Sequence, residues 1–154
     1  MTIITTSLEK EYDMTTGHKL INRYKMLNEI GRGVHGKVKL AQPLDKPNLV
    51  AIKIIYKHTK KRQYSLLRAA SSDNAIRDHE RSIRREMLIL QKCQHPNIIQ
   101  LFEIIDDPTC RKIYMVLEYS EGGSVLWRND QDEPILSIDQ SKRIFNDVVN
   151  GLDY

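Results

Sequence analysis

Cysteine is scarce: Cys93 and Cys110 are the only two in 154 residues, and neither sits at metal-ligand spacing. That excludes a disulfide framework and points to a reducing compartment, the cytoplasm. No apolar run approaches the ~18 residues that a membrane span needs, so no membrane association is expected. The opening Met1-Thr2-Ile3-Ile4-Thr5-Thr6 lacks the basic start and apolar core of a secretion signal. Charge is not concentrated in one sign either. Lys plus Arg number 24 against 20 Asp plus Glu, and the resulting +4 is spread along the chain. A nucleic-acid partner would want a basic face, so none is expected. Internal repeats and low-complexity tracts are missing too. What remains is enough chain for one ordinary domain with a real core.

Glycine is also sparse, seven in all, yet three fall within six residues of Ile30-Gly31-Arg32-Gly33-Val34-His35-Gly36-Lys37-Val38. Such a triplet occurs in dinucleotide-binding folds, where a helix opens at the third glycine. Here Gly36 leads instead into Lys37-Val38-Lys39-Leu40-Ala41, an alternating run that reads as a strand. Leu49–Tyr56 is a second, β-branched strand carrying Ala51-Ile52-Lys53. Glycines without Cβ let backbone N–H groups close over a polyphosphate. Lys53 supplies a point charge for phosphate oxygens, and Val38 and Ala51 sit where an apolar lid over a purine belongs. The plainer alternative is a tight hairpin whose glycines serve only backbone geometry.

Residues 1–21 are polar, threonine-rich and aperiodic; a flexible leader is expected, with an extra strand or docking segment as the alternative. Tyr24–Ile30 is the strand that feeds the glycine loop. Residues 57–72 form the most basic connection, with Lys57, His58, Lys60, Lys61, Arg62 and Arg68. It reads as a solvated insert or as a docking surface for an acidic partner. Asp73 or Asn74 is placed to cap a helix from about Ala75. Ile76, Ile83, Met87 and Leu90 mark its buried face, and Glu86 projects from the same stripe. A carboxylate there needs a partner, and Lys53 is the natural one. His95-Pro96-Asn97 ends the helix. Asn97–Ile105 and Lys112–Glu118 read as further strands around the turn Asp106–Thr109. Ser137-Ile138-Asp139-Gln140 is a capping box opening a last helix, whose stripe is Ile144, Phe145, Val148, Val149 and Leu152.

Taken together, the glycine loop, Ala51-Ile52-Lys53, Arg85-Glu86-Met87, His95-Pro96-Asn97-Ile98 and Tyr114-Met115-Val116-Leu117-Glu118-Tyr119 resemble the N-terminal lobe of the protein kinases. Glu103–Pro108, the basic insert and Gly122-Gly123-Ser124-Val125 are similar to the calcium/calmodulin-dependent protein kinase kinases. They are similar also to the fungal relatives that activate the AMP-activated kinase homologue. The resemblance implies an α+β fold: a five-stranded antiparallel sheet with one inserted helix over about 22–119, then a hinge and the first helices of a second lobe over about 120–154. It implies a serine/threonine kinase using ATP with Mg2+, whose protein substrate is another kinase. Gly31, Gly33 and Gly36 would cover the phosphates, with Ile30 leading in. Lys53 would contact the α- and β-phosphates and pair with Glu86. Val38 and Ala51 would sandwich the adenine, and Leu117 would be the gatekeeper. The C=O of Glu118 and the N–H of Ser120 would meet the adenine edge, and Leu90 and Leu101 would join a packed column.

Some positions depart from the pattern. His35 stands where an aromatic is common, Ser82 where a basic residue contacts a phosphorylated activation loop, and Ser124 where many arginine-directed kinases place a Glu. The His-Arg-Asp, Asp-Phe-Gly and Ala-Pro-Glu motifs are absent from the 154 residues, and with them the catalytic base and metal ligands. Two expectations follow: the N-terminal part of a kinase that is inactive by itself, or a non-catalytic nucleotide- or partner-binding module.

Overall fold

The structure, a computed structural model, describes residues 2–33, 36–57 and 69–154, the side chains of 69–76 excepted. Its strands are β1 (Ile3–Thr5), β2 (Lys10–Tyr12), β3 (Lys19–Ile21), β4 (Tyr24–Gly33), β5 (Gly36–Pro43), β6 (Val50–Tyr56), β7 (Leu101–Ile105) and β8 (Lys112–Glu118). Helix α1 (Ala69–Lys92) lies between β6 and β7, and α2 (Ile138–Asp153) follows β8. The strands form one curled sheet in the order β1-β7-β8-β6-β5-β4-β3-β2. Within it β7-β8-β6-β5-β4 are antiparallel neighbours, which are the five strands expected, with one helix inserted after β6.

Strand periodicity sets the two faces. On β6, Ile52 and Ile54 turn to a core shared with Ile21, Tyr24, Met26, Ala41 and Val116. Ile55 turns the other way, into a second core with Ile83 of α1, Leu101, Ile104, Ile113 and Met115. Lys53, two residues before Ile55, therefore faces α1.

The expected flexible leader is replaced by structure. Residues 2–21 hold three short strands, β1 running parallel to β7 with Ile4 opposite Ile104, and β2–β3 forming a hairpin against β4. Among the described residues the sheet thus has eight strands where five were expected. The segment is tied by side chains. Thr2 Oγ1 donates to Leu101 O at 3.1 Å, and Leu8 N–H to Asp107 Oδ2 at 3.1 Å. Asn22, at φ 48°, accepts from Glu9 N–H at 2.8 Å and closes the hairpin back on itself.

Helix α1 begins at Ala69, six residues before the expected start at Ala75, so Asp73 and Asn74 lie inside it and not at its start. Ala69-Ala70 has high intrinsic helix propensity and carries the helix past these polar residues. The strand expected from Asn97 begins only at Leu101, because Ile98 N–H donates to His95 O at 3.0 Å and holds a turn. The Ser137–Gln140 capping box forms in both directions at the start of α2. None of the α2 side chains is buried; Phe145, Val148 and Leu152 are exposed. Its C-terminal end touches the α1–β7 connection, where a Cβ on Gly151 would come within 3.2 Å of Asn97 O and the Tyr154 ring lies 5.2 Å from that of His95. Among the described residues, no helix is long and apolar enough to cross a membrane.

Candidate functional site

The β4–β5 hairpin brings Gly31 opposite Val38, Arg32 opposite Lys37 and Gly33 opposite Gly36. Val34 and His35, at its tip, lie outside the described residues. The three glycines are not equivalent. A Cβ on Gly36 would stand 1.9 Å from the backbone oxygen of Ile54, so β5 can approach β6 only with glycine there. A Cβ on Gly31 would make ordinary contact with Val38, and one on Gly33 would meet nothing within 4 Å. Gly36 is therefore required by the fold itself, Gly31 lies against Val38, and Gly33 leaves open space. At the hairpin's base Glu29 pairs with Arg32 at 2.8 Å and Lys37 at 3.5 Å. The Arg32 bond, with help from Lys37, holds its carboxyl below the usual range.

Register then aligns the rest. Val38 on β5 and Met115 on β8 both lie opposite Lys53 of β6, and Leu117 lies opposite Ala51. Because strand side chains alternate, Val38, Ala51, Lys53, Met115 and Leu117 share the α1 face of the sheet. Ala51 is buried, while Val38 and Leu117 remain partly open. Glu118 and Ser120, where β8 ends, are exposed, as is Ile30 at the other wall.

From α1, Glu86 forms an ion pair with Lys53 Nζ through Oε1. Ile83, Met87 and Leu90 seat that helix on the second core, and Glu86 falls one residue before Met87 on the same inward stripe. The two side chains are 23% and 31% exposed, so the pair is accessible from solvent and not sealed. Leu101 is buried in the second core and Leu90 packs against that core. Ile76 and the basic residues from His58 to Arg68 fall where side chains are not described. Lys57, the first residue of the basic insert, is already engaged. Its Nζ lies 2.6 Å from Asp106 Oδ1 and donates to Asp107 O at 2.7 Å, which removes it from any docking patch.

Sequence reasoning missed a second polar cluster. Glu103 of β7, 6% exposed in its side chain, accepts from Thr5 Oγ1 and Tyr24 OH, both at 2.5 Å, and pairs with Arg23 at 3.1 Å. Burial, then the bond to Glu103, pushes the Tyr24 phenol up to about 12. The available signal was a lone carboxylate within the apolar run Leu101-Phe102-Glu103-Ile104-Ile105.

Comparison with known proteins agrees with this arrangement. The protein kinase domain family matches residues 24–154. The "Serine/threonine-protein kinase ssp1" of Schizosaccharomyces pombe is 44% identical over 97% of this chain and 22% of its own length. "SNF1-activating kinase 1" of Saccharomyces cerevisiae is 39% identical over 97% of this chain and 14% of its own. The "Calcium/calmodulin-dependent protein kinase kinase" of Caenorhabditis elegans is 34% identical over 87% and 26%. The chain spans about a quarter or less of each relative. With the family matched over residues 24–154 and these relatives over most of its length, the chain belongs to the protein kinase family.

Proposed function

We propose that this chain is the ATP-binding N-terminal part of a serine/threonine protein kinase that phosphorylates other kinases. The observation that carries the reading is the ion pair between Lys53 and Glu86, formed by side chains that are still partly open to solvent. An isolated structural pair gains little at such exposure, whereas a lysine fixed by a carboxylate is oriented to receive phosphate oxygens. The space left by Gly33 and the shared face of Val38, Ala51 and Leu117 fit a nucleotide. In this reading the hairpin backbone donates N–H bonds to phosphates, and Val38 and Ala51 hold the adenine between them. Leu117 limits the depth of the cleft, and the C=O of Glu118 and N–H of Ser120 read the adenine edge. Bound ATP supplies the transferable phosphoryl group. Mg2+ ligands and the catalytic base are not assigned to any residue of this chain, so the chain alone binds without transferring. The relatives named for activating a kinase support a kinase as protein substrate, and the few free cysteines suit the cytoplasm.

The test is titration of the chain with a non-hydrolysable ATP analogue. Binding should weaken by ~10²-fold in Lys53→Met, the scale of a lost electrostatic contact to phosphate. Equal affinity in both proteins would refute the assignment.

A further inference from the structure

The face of the sheet turned away from Lys53 and Glu86 carries lysines that no carboxylate answers. Lys39 of β5 and Lys112 of β8 stand two residues before the core side chains Ala41 and Tyr114, and Lys19 of β3 stands two before Ile21. Lys10 of β2 lies directly opposite Ile21. Strand alternation therefore puts all four on the side of the first core. The sheet curls until its β2 edge meets the β7–β8 turn. Leu8 packs on the first core and donates its N–H to Asp107, and Lys10 Nζ reaches Cys110 Sγ at 3.5 Å. Lys112 Nζ lies 5.1 Å from the centre of the Tyr56 ring, and Lys39 Nζ donates to Leu27 O at 3.3 Å. Lys19, Lys39 and Lys112 are half-buried. Burial, then the charges of Lys112, Lys10 and Lys39, push the Lys19 ammonium below its ordinary value. Carboxylates of the flanking strands and turns are engaged elsewhere. Asp13 pairs with Lys25 at 3.1 Å, Glu29 with Arg32 and Lys37, and Asp106 with Lys57, while Asp107 accepts from Leu8 and Thr109. Among the described residues, no carboxylate forms an ion pair with any of the four lysines.

We propose that Lys10, Lys19, Lys39 and Lys112 form a binding site for a small soluble molecule bearing several clustered phosphate groups. A solvated charge run spreads its lysines along one strand or helix face; here four separate strands each send one lysine to the same core. Half-buried like charges oppose folding unless an anion joins them, and the fold itself supplies none. Each ammonium is a compact point charge with three rotatable donors, which suits phosphate oxygens in any orientation. Four such charges match several phosphates, and a single carboxylate would leave most of them uncompensated. The Tyr56 ring, already beneath Lys112, adds an apolar wall. Lys53, Val38 and Ala51 lie on the opposite face, so this site is separate from the nucleotide cleft and does not rest on that reading.

The experiment is calorimetric titration of the purified chain with myo-inositol hexakisphosphate, with citrate as a carboxylate control. Binding is expected for the phosphate, with an affinity that falls as salt is added. It should weaken at least ~10-fold in the double variant Lys19→Gln/Lys112→Gln. It should be unchanged in Lys53→Met, which lies in the nucleotide cleft, and in Lys60→Gln/Lys61→Gln, which lies in the basic insert. No binding, or equal affinity in the Lys19/Lys112 variant, would overturn the site. Binding lost in Lys53→Met or in the insert variant would overturn it by placing the anion elsewhere. Citrate bound as tightly as the hexakisphosphate would overturn the phosphate class. Phosphatidylcholine vesicles doped with phosphatidylinositol bisphosphate form a further arm: vesicles bound with no soluble phosphate bound would overturn the proposal in favour of a membrane surface. Stability without ligand separates binding from a merely structural role. Lys19→Gln removes a repelled charge and should unfold no lower than wild type, while the hexakisphosphate should raise the midpoint of wild type more than that of the variant. A clear fall in the ligand-free midpoint of Lys19→Gln would mean that Lys19 serves the fold, and would overturn the assignment.

Discussion

Glu86 and Glu103 are both carboxylates set against the same sheet, and their surroundings differ at every point. Glu103 is 6% exposed and satisfied by three donors, from β1, the β3–β4 turn and β4. Glu86 is 31% exposed and has the Lys53 ammonium as its partner. A buried charge is tolerable when its lone pairs are filled, and it then fixes the elements that fill them. A half-open charge with one partner costs less to form and less to rearrange. The first arrangement suits a joint between strands. The second suits a site that must admit a polyphosphate and release it.

The comparison breaks most visibly at Glu103. Glu103→Ala would leave Tyr24 OH, Thr5 Oγ1 and the Arg23 guanidinium without their acceptor. It should cost about 3–5 kcal/mol, read as a fall in the urea midpoint at unchanged slope. A loss under about 1 kcal/mol would mean that water replaces the carboxylate without penalty. Next in size is Lys53→Met in the intact kinase, which should lose ~10²-fold or more of its phosphoryl-transfer rate, about 2.7 kcal/mol. Glu86→Gln should act in the same direction and less severely. Near-normal turnover in Lys53→Met would dissolve the distinction between the two carboxylates.

A smaller effect appears in base. The folded-state value for Tyr24 is raised to about 12 from an ordinary 10. The stability it contributes is therefore complete below pH 10 and is lost as pH rises toward 12, because the unfolded chain gives up the phenolic proton first. At pH 11 the loss should be about 1.4 kcal/mol from this group, with Tyr114 adding in the same window. Denaturant midpoints taken from pH 9 to 12 should fall more gently in Tyr24→Phe; a parallel fall would remove Tyr24 from the account. Smallest of all, Thr5→Val should cost about 1 kcal/mol through one lost hydrogen bond, and Thr5→Ser should restore most of it. Equal midpoints for all three proteins would show that β1 is not held through Glu103.

The two carboxylates were also unequally legible. Glu86 could be read from the chain because helical spacing puts it on the stripe of Ile83 and Met87, and Lys53 lies on a strand whose period is plain. Register did the rest, placing Val38 and Leu117 on the same face as Lys53. Thr5 and Glu103 are 98 residues apart, and nothing local connects them. Strands of three residues, such as β1, β2 and β3, are too short to display a period, so residues 2–21 looked like an unstructured leader. Their order comes from pairing with distant edges and from side-chain ties, which only tertiary structure reveals. The start of α1 was misread for the opposite reason. Asp73 and Asn74 offered a local start signal, yet the helix already runs from Ala69.

The central claim is that one carboxylate pair serves nucleotide and the other serves the fold. Thermal unfolding of the wild-type chain, Lys53→Met and Thr5→Val, each with and without the ATP analogue, tests it directly. Lys53→Met should unfold within about 1–2 °C of wild type when free and lose the upward shift that nucleotide gives. Thr5→Val should unfold lower, by roughly 2–4 °C for ~1 kcal/mol in a domain of this size, and keep the shift. The opposite pattern, with Lys53→Met unfolding early yet still stabilised by nucleotide, would contradict the account.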